Sequence, residues 1–189
     1  MKKSLILFDN DGVLVDTEKW YFEANRIIQA ELGHKLDSAR YKKRMQDGKS
    51  AWNWLHQHGM SEEEIAAGKE RRNKLYQEFI LTKDIEIPGV EETLKKLRPH
   101  FKMAIVTTAR RVDFDLIHNN RPFTAYMDAI FTPVDYERVK PFPDPYLKAL
   151  EHFNEEPENA VVVEDTERGL ISAVAANIDC FIVDNEFTR

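Results

Sequence analysis

The chain has 189 residues, of which 42% are hydrophobic and 32% charged, a balance typical of a globular protein that buries a core without disulfides. Its net charge of -6 argues against nucleic acid or an anionic membrane surface as the main partner. The lone cysteine, Cys180, excludes an intrachain disulfide, and no apolar stretch approaches the roughly 20 residues of a membrane span. We therefore expect a cytoplasmic monomer that binds neither nucleic acid nor membrane.

Four short apolar runs are predicted to be β-strands. Each is too short for a helix, and most are rich in β-branched residues. Continuous rather than alternating apolarity is typical of parallel strands that are covered on both faces. A fifth run, DAIFT (128–132), is a weaker strand prediction. The four clear runs are SLILF (4–8), MAIVT (103–107), AVVVE (160–164) and CFIV (180–183).

Helical patterns alternate with these strands over much of the chain. They occur at VEETLKKL (90–97), FPDPYLKALEHF (142–153) and ERGLISAVAA (167–176). Strands and helices of this size that alternate along a chain form an open sheet with helices on both faces. The sequence therefore predicts an α/β fold with a doubly wound parallel, Rossmann-like sheet.

One segment interrupts this alternation soon after the first strand. Residues 17–85 contain no convincing strand and are predicted to form consecutive helices. Within them, Ser61 and Glu64 have the spacing of a capping box, which would open a long helix ending near Leu81. We predict an α/β core domain of residues 1–16 and 86–189, interrupted by an α-helical cap domain of residues 17–85.

Polar side chains follow three of the four clear strands, and a lysine lies in the loop KPFPDPY. Taken singly, each could be a helix cap or a turn residue. However, open parallel sheets bind ligands beyond the carboxyl ends of their strands, so these side chains are expected to share one site. Clustered carboxylates repel one another unless a cation joins them, and oxygen ligands favour Mg²⁺. The residues are Asp9, Asp11, Thr107, Thr108, Lys140, Glu164 and Asp165.

Four motifs around these residues carry a family resemblance. DNDGVLVDT, VTT, KPFPD and EDTERG resemble, in order and spacing, the four motifs of the haloacid dehalogenase superfamily of phosphotransferases. The resemblance extends from residue 4 to about residue 184, and four ordered motifs are far more specific than an isolated DxD. The helical insertion directly after the first motif resembles the cap of the phosphoglycolate phosphatase and β-phosphoglucomutase-like branch.

The resemblance implies a role for each motif residue. Asp9 would be the nucleophile that forms an aspartyl-phosphate, and Asp11 would be the general acid and then the general base. The Thr107 hydroxyl and the Thr108 amide would hold phosphate oxygens, while Lys140 would offset the negative charge at the reacting phosphoryl group. Mg²⁺, the implied cofactor, would be held by Asp9, the backbone carbonyl of Asp11 and Asp165, with Glu164 assisting or supporting these ligands.

Three functions compete to explain these motifs: a phosphatase, a sugar-phosphate mutase and a receiver-like binding module. Asp11 favours phosphate esters over halides, because a halide leaves without a proton. A phosphatase of a small phosphorylated metabolite is favoured over a sugar-phosphate mutase, because Tyr21 and Ala51 stand where mutases carry a histidine and a basic residue. A receiver-like module that only accepts phosphate would carry its acceptor on the third strand and lack the insertion. Lys49, Tyr21 and Trp52 are candidate substrate contacts, with packing inside the cap as the alternative for both aromatic residues.

Two asparagines depart from the family pattern. Asn10, between the two aspartates, replaces a residue that is usually apolar, and we expect it to alter the packing beneath the nucleophile. Asn177 stands where the family commonly has glycine before the last strand. Asparagine tolerates the left-handed backbone conformation that such a position requires.

Overall fold

The computed structural model describes residues 3–46 and 49–184. The chain forms two compact units, a core unit of residues 1–16 and 85–189 and an insertion unit of residues 17–84. The assignment of these units as a core domain and a cap domain stays a prediction.

The insertion unit is helical, as the absence of strand patterns indicates. Its longest helix begins with the predicted capping box: the Ser61 hydroxyl accepts a hydrogen bond from the Glu64 N–H at 3.2 Å, and the Glu64 carboxylate accepts from the Ser61 N–H at 2.8 Å. These two bonds satisfy N–H groups that the first turn leaves without a helical partner. The helices are α1 (Glu18–Glu31), α2 (Ser38–Gln46), a 3-10 helix (Asn53–His58) and α3 (Glu62–Thr82).

The core unit contains a five-stranded sheet built from β1 (Leu5–Phe8), β2 (Lys102–Val106), β3 (Ala129–Phe131), β4 (Ala160–Glu164) and β5 (Asp179–Ile182). All neighbouring strands are parallel, in the order β3-β2-β1-β4-β5. The predicted doubly wound α/β fold is therefore confirmed. The order along the chain reverses beside β1, and ligands of such sheets bind at this reversal.

Two central strands are buried, whereas one edge strand is largely exposed. β1 is buried throughout, and β2 is buried except at its first residue, as continuous apolar runs predict. In β5, by contrast, Phe181 is 68% exposed and Ile182 is 38% exposed. The prediction that CFIV is covered on both faces is wrong, because β5 lies at the edge of the sheet.

Four α-helices accompany the sheet in the described part of the core unit, and three of them fall on the predicted segments. The fourth, α5, lies where no helix was predicted, although Phe114, Ile117 and His118 have the i, i+3, i+4 spacing of a buried helix face. Asn177 has a φ of 59°, the left-handed conformation expected of it. Across residues 3–46 and 49–184, no helix has both the length and the apolar character needed to cross a bilayer. The helices are α4 (Val90–Leu97), α5 (Arg111–His118), α6 (Asp144–Phe153) and α7 (Glu167–Ala175).

Candidate active site

A tight turn follows β1 at the carboxyl end of the sheet. The backbone carbonyl of Asn10 accepts hydrogen bonds from the N–H groups of residues 13–15, at 2.8–3.3 Å. Gly12 has a φ of 79°, which glycine adopts without the steric penalty of a side chain. Asp9 ends the strand, where its N–H donates to the Val163 carbonyl at 2.9 Å and its side chain is buried. The turn therefore fixes the first candidate aspartate between β1 and β4.

The buried ammonium of Lys140 joins the ends of three strands. Its Nζ donates to Asp9 Oδ1 at 2.6 Å, to Glu164 Oε1 at 2.7 Å and to the Val106 carbonyl at 2.8 Å. An ammonium has three N–H donors, so these bonds use all of them. Burial alone would lower the pKa of Lys140, but the carboxylates of Asp9 and Glu164 outweigh it and raise that pKa well above its usual value. Lys140 is therefore a fixed cation.

Glu164 uses both carboxylate oxygens to hold its neighbours. Oε1 accepts from Lys140 and, at 3.1 Å, from the Tyr146 hydroxyl. Oε2 accepts from the N–H groups of Asp165 and Thr166 and from the Thr166 hydroxyl, at 3.0–3.2 Å. Burial would raise the pKa of Glu164, but its bonds to Lys140 and Thr166 outweigh burial and lower it. Glu164 is thus an ionised anchor for Lys140 and for the start of α7.

Gly169 lies directly against this anchor. A Cβ at Gly169 would come within 1.8 Å of Glu164 Cδ and Oε1, far closer than any real contact. The Glu164 carboxylate cannot move aside freely, because Lys140 and Thr166 hold it in place. The close approach explains glycine at this position in the EDTERG motif.

Gly169→Ala is therefore expected to displace Glu164 and to destabilise the fold by about 3 kcal/mol, since it disrupts a buried charge network. For a chain of this length, that loss lowers the melting temperature by roughly 6–12 °C. Val174→Ala, an exposed substitution on the same helix, is the control and should change it little. A wild-type melting temperature for Gly169→Ala, measured by circular dichroism, would contradict this packing.

Three buried carboxylates meet at this end of the sheet. Asp9, Glu164 and Asp165 each have one oxygen within 4.8 Å of the others. Together with Lys140 they carry a net charge of -2 when all four are ionised. Burial, and then the charge of Glu164, raise the pKa of Asp9 to about 7, as expected where negative charge exceeds positive. An all-oxygen donor set with this charge fits Mg²⁺.

The other predicted residues of the core unit follow β1 and β2, two of the strands whose ends Lys140 joins. Thr107 follows β2 directly after the carbonyl that Lys140 contacts, and it is fully buried. Its hydroxyl accepts a hydrogen bond from the Ala109 N–H at 3.0 Å, so the hydroxyl keeps its own proton for donation. Thr108 is exposed, and Asp11 is half-buried and near enough to raise the pKa of Asp9.

The candidate substrate contacts Tyr21 and Lys49 belong to the insertion unit. Tyr21 is half-buried, and the guanidinium of Arg72 lies 4.5 Å from its ring centroid. Lys49 is exposed and lines a cavity of about 350 Å³. Trp52 is buried and donates its indole N–H to Asn25 at 2.7 Å, so packing is its role here. A substrate role for Tyr21 and Lys49 stays a prediction.

Two residues that were not predicted fix the loop carrying Lys140. Arg168 donates to the Lys140 carbonyl at 2.8 Å, and the Ser172 hydroxyl donates to the Phe142 carbonyl at 2.6 Å. They lie one turn apart on α7, and residues four apart on a helix share a face. That spacing is the signal by which they could have been found.

Comparison with known proteins places the chain in a family. The family model for haloacid dehalogenase-like hydrolases matches residues 6–183, and the chain belongs to this family. The predicted family and the hydrolase class are thereby confirmed.

Individual relatives align with this chain over most of its length. It is 26% identical to a phosphorylated carbohydrates phosphatase of Thermotoga maritima, over 92% of this chain and 82% of the relative. It is 29% identical to the pyrophosphatase PpaX of Bacillus mycoides, over 90% of this chain and 79% of the relative. A structure of CbbY from Rhodobacter sphaeroides, solved with xylulose bisphosphate, superposes with a TM-score of 0.82 at 23% identity, covering 99% of this chain and 88% of CbbY. At that identity the superposition shows a shared fold.

Proposed function

We propose that this protein is a Mg²⁺-dependent phosphatase that hydrolyses a small phosphorylated metabolite through an aspartyl-phosphate on Asp9. The observation that carries the proposal is the buried contact of Asp9 with Lys140 and Glu164, beside Asp165. A nucleophilic carboxylate held against a fixed cation suits attack on a phosphoryl group. The relative from Thermotoga maritima, a phosphatase of phosphorylated carbohydrates, supports the same substrate class.

The first half-reaction transfers the phosphoryl group to Asp9. Lys140 binds Oδ1, which leaves Oδ2 to attack phosphorus. The bond from Oδ2 to phosphorus forms while the ester P–O bond breaks, and Asp11 gives its proton to the departing alkoxide. Lys140 remains against Asp9 and offsets the charge that gathers there.

The second half-reaction restores the enzyme. Asp11, now ionised, takes a proton from a water molecule as the water oxygen attacks phosphorus. The bond between phosphorus and Asp9 Oδ2 breaks, which releases inorganic phosphate and returns both aspartates to their starting states. Throughout, the Thr107 hydroxyl and the Thr108 amide would donate to phosphate oxygens.

The carboxylates of Asp9 and Asp165 and the backbone carbonyl of Asp11 would hold Mg²⁺. When bound, Mg²⁺ supplies positive charge that offsets the charge of the phosphoryl oxygens. Glu164 suits a supporting position better than a ligand position, because both of its oxygens already accept hydrogen bonds.

The direct test is phosphate release from a panel of phosphorylated metabolites in the presence of Mg²⁺. Turnover without any bisphosphate activator is expected of a phosphatase, whereas a mutase would depend on one. Failure to release phosphate from every panel member, and from p-nitrophenyl phosphate, would contradict the proposal.

Asp11→Asn tests the proton-transfer role. The amide cannot protonate a leaving group, so turnover of alkyl phosphates should fall by about 10²–10⁴. p-Nitrophenyl phosphate should lose much less, because its leaving group departs as a stable anion. Steady-state kinetics on both substrates measure the difference, and equal losses would assign Asp11 to structure or metal binding instead.

A further inference from the structure

A polar pair lies buried beneath the two motif aspartates. Asn10 and His118 are both buried, and the His118 Nε2 lies 2.7 Å from Asn10 Oδ1. On its other side, the Asn10 amide nitrogen donates to Asp11 Oδ2 at 3.2 Å. The rings of Phe114 and Phe123 lie 4.5 and 6.1 Å from the His118 ring, centroid to centroid. One asparagine therefore links a histidine of α5 to Asp11.

Chemistry fixes the direction of both hydrogen bonds. The Asp11 Oδ2 that faces Asn10 can only accept, both when the carboxyl group is ionised and when its proton lies on Oδ1, so the amide N–H₂ of Asn10 must face it. The amide oxygen then faces His118 and can only accept, so Nε2 must carry the hydrogen. The opposite amide orientation would place two oxygens against each other.

The histidine is suited to this single task. Burial, and then the charge of Arg121, lower the pKa of His118 to about 4, while Asp115 acts in the opposite direction. The ring is therefore neutral near pH 7 and carries one N–H. Its Nδ1 is buried with no hydrogen-bond partner among the described residues, so the ring's N–H is committed to Asn10.

We infer that Asn10 and His118 are positioning residues for the proton-transfer step, an inference that rests on the proposed role of Asp11. Asn10 holds Oδ2 and so restricts rotation of the Asp11 carboxyl group, which presents Oδ1 to the leaving group and then to water. His118 in turn fixes the Asn10 amide. Neither residue touches the substrate. An apolar residue at position 10 would offer no such contact.

The alternative is that the pair merely satisfies its own polar groups inside the core. Asn10→Leu alone cannot separate the two roles, because it leaves the His118 N–H buried without a partner, which destabilises any fold. The double variant Asn10→Leu with His118→Phe removes both polar groups together. Its melting temperature should lie much closer to the wild-type value than that of Asn10→Leu does.

The deciding measurement is the ratio of kcat for p-nitrophenyl phosphate to kcat for phenyl phosphate, whose leaving group depends more on a proton. A misplaced general acid slows the poorer leaving group more, so the double variant should raise this ratio by about tenfold. A purely structural pair would leave the ratio at its wild-type value once stability is recovered, and that result would overturn the inference.

His118→Gln and His118→Phe give a second, independent comparison. The glutamine Nε2–H reproduces the donor to Asn10, so His118→Gln should keep the wild-type ratio while His118→Phe raises it. Tyr126→Phe, which removes a hydrogen bond to Glu91 in the same region, is the matched control and should leave the ratio unchanged. Equal ratios in His118→Gln and His118→Phe would overturn the inference even if the double variant fails to fold. Failure of the proposed function is distinct, because it would appear as no phosphate release by the wild-type protein or as phosphate release that survives Asp9→Asn.

Discussion

Asp9→Asn is expected to abolish phosphate release, with a loss of at least about 10⁴ in kcat. The amide is isosteric with the carboxylate but is too weak a nucleophile to attack phosphorus. The fold should survive, because the amide oxygen can still accept from Lys140. Removal of the charge also relieves the burial and the repulsion from Glu164 that together raise the pKa of Asp9. A phosphate-release assay tests the loss of turnover, and circular dichroism tests whether the fold survives.

The matched control for this variant is Asp115→Asn. Asp115 is an exposed aspartate of α5 that pairs with Arg111, and its substitution should leave turnover near the wild-type value. Wild-type turnover by Asp9→Asn would remove Asp9 from the nucleophile position and with it the proposed aspartyl-phosphate.

Chelation of divalent metal is expected to abolish turnover as completely as Asp9→Asn does, and added Mg²⁺ should restore it. The carboxylates of Asp9 and Asp165 meet only in the folded chain, so Mg²⁺ binds the folded state and should raise the melting temperature by mass action. At 100 times the dissociation constant, the stabilisation is about 2.7 kcal/mol. Thermal melts with EDTA and with Mg²⁺ measure this shift.

Asp165→Ala should remove both effects, because it deletes one of the two carboxylates that we propose to hold Mg²⁺. Asp179→Ala is the control, since Asp179 is an exposed aspartate that forms an ion pair with Lys3. If Asp165→Ala still turned over normally and still melted higher with Mg²⁺, the metal would have to lie elsewhere.

The sequence was sufficient for features that depend on local pattern. The capping box at Ser61, the parallel strands and the meeting of Asp9 with Lys140 follow from residue spacing and from the rule that ligands bind at strand ends. The exposure of Phe181 could not be foreseen, because strand order decides which strand lies at the edge and a periodic pattern does not report it.

Long-range contacts account for the other differences. The hydrogen bond between His118 and Asn10 joins residues 108 positions apart, so no spacing rule predicts it. The motif placed Glu164 among the acids of the site. Only the three-dimensional structure reveals that its oxygens accept hydrogen bonds from Lys140 and Thr166.

The position of β1 at the centre of the sheet also has a consequence for how the chain folds while it is being synthesised. Leu5 pairs with Lys102 on one side and with Ala160 on the other, and Asp9 meets Lys140 across 131 residues. A nascent chain therefore carries β1 without its first neighbour until β2 has left the ribosome, and without its second neighbour until β4 has left it. Closing such long loops costs entropy that only the completed sheet offsets. The helices of residues 17–84 pack among themselves and need no such delay.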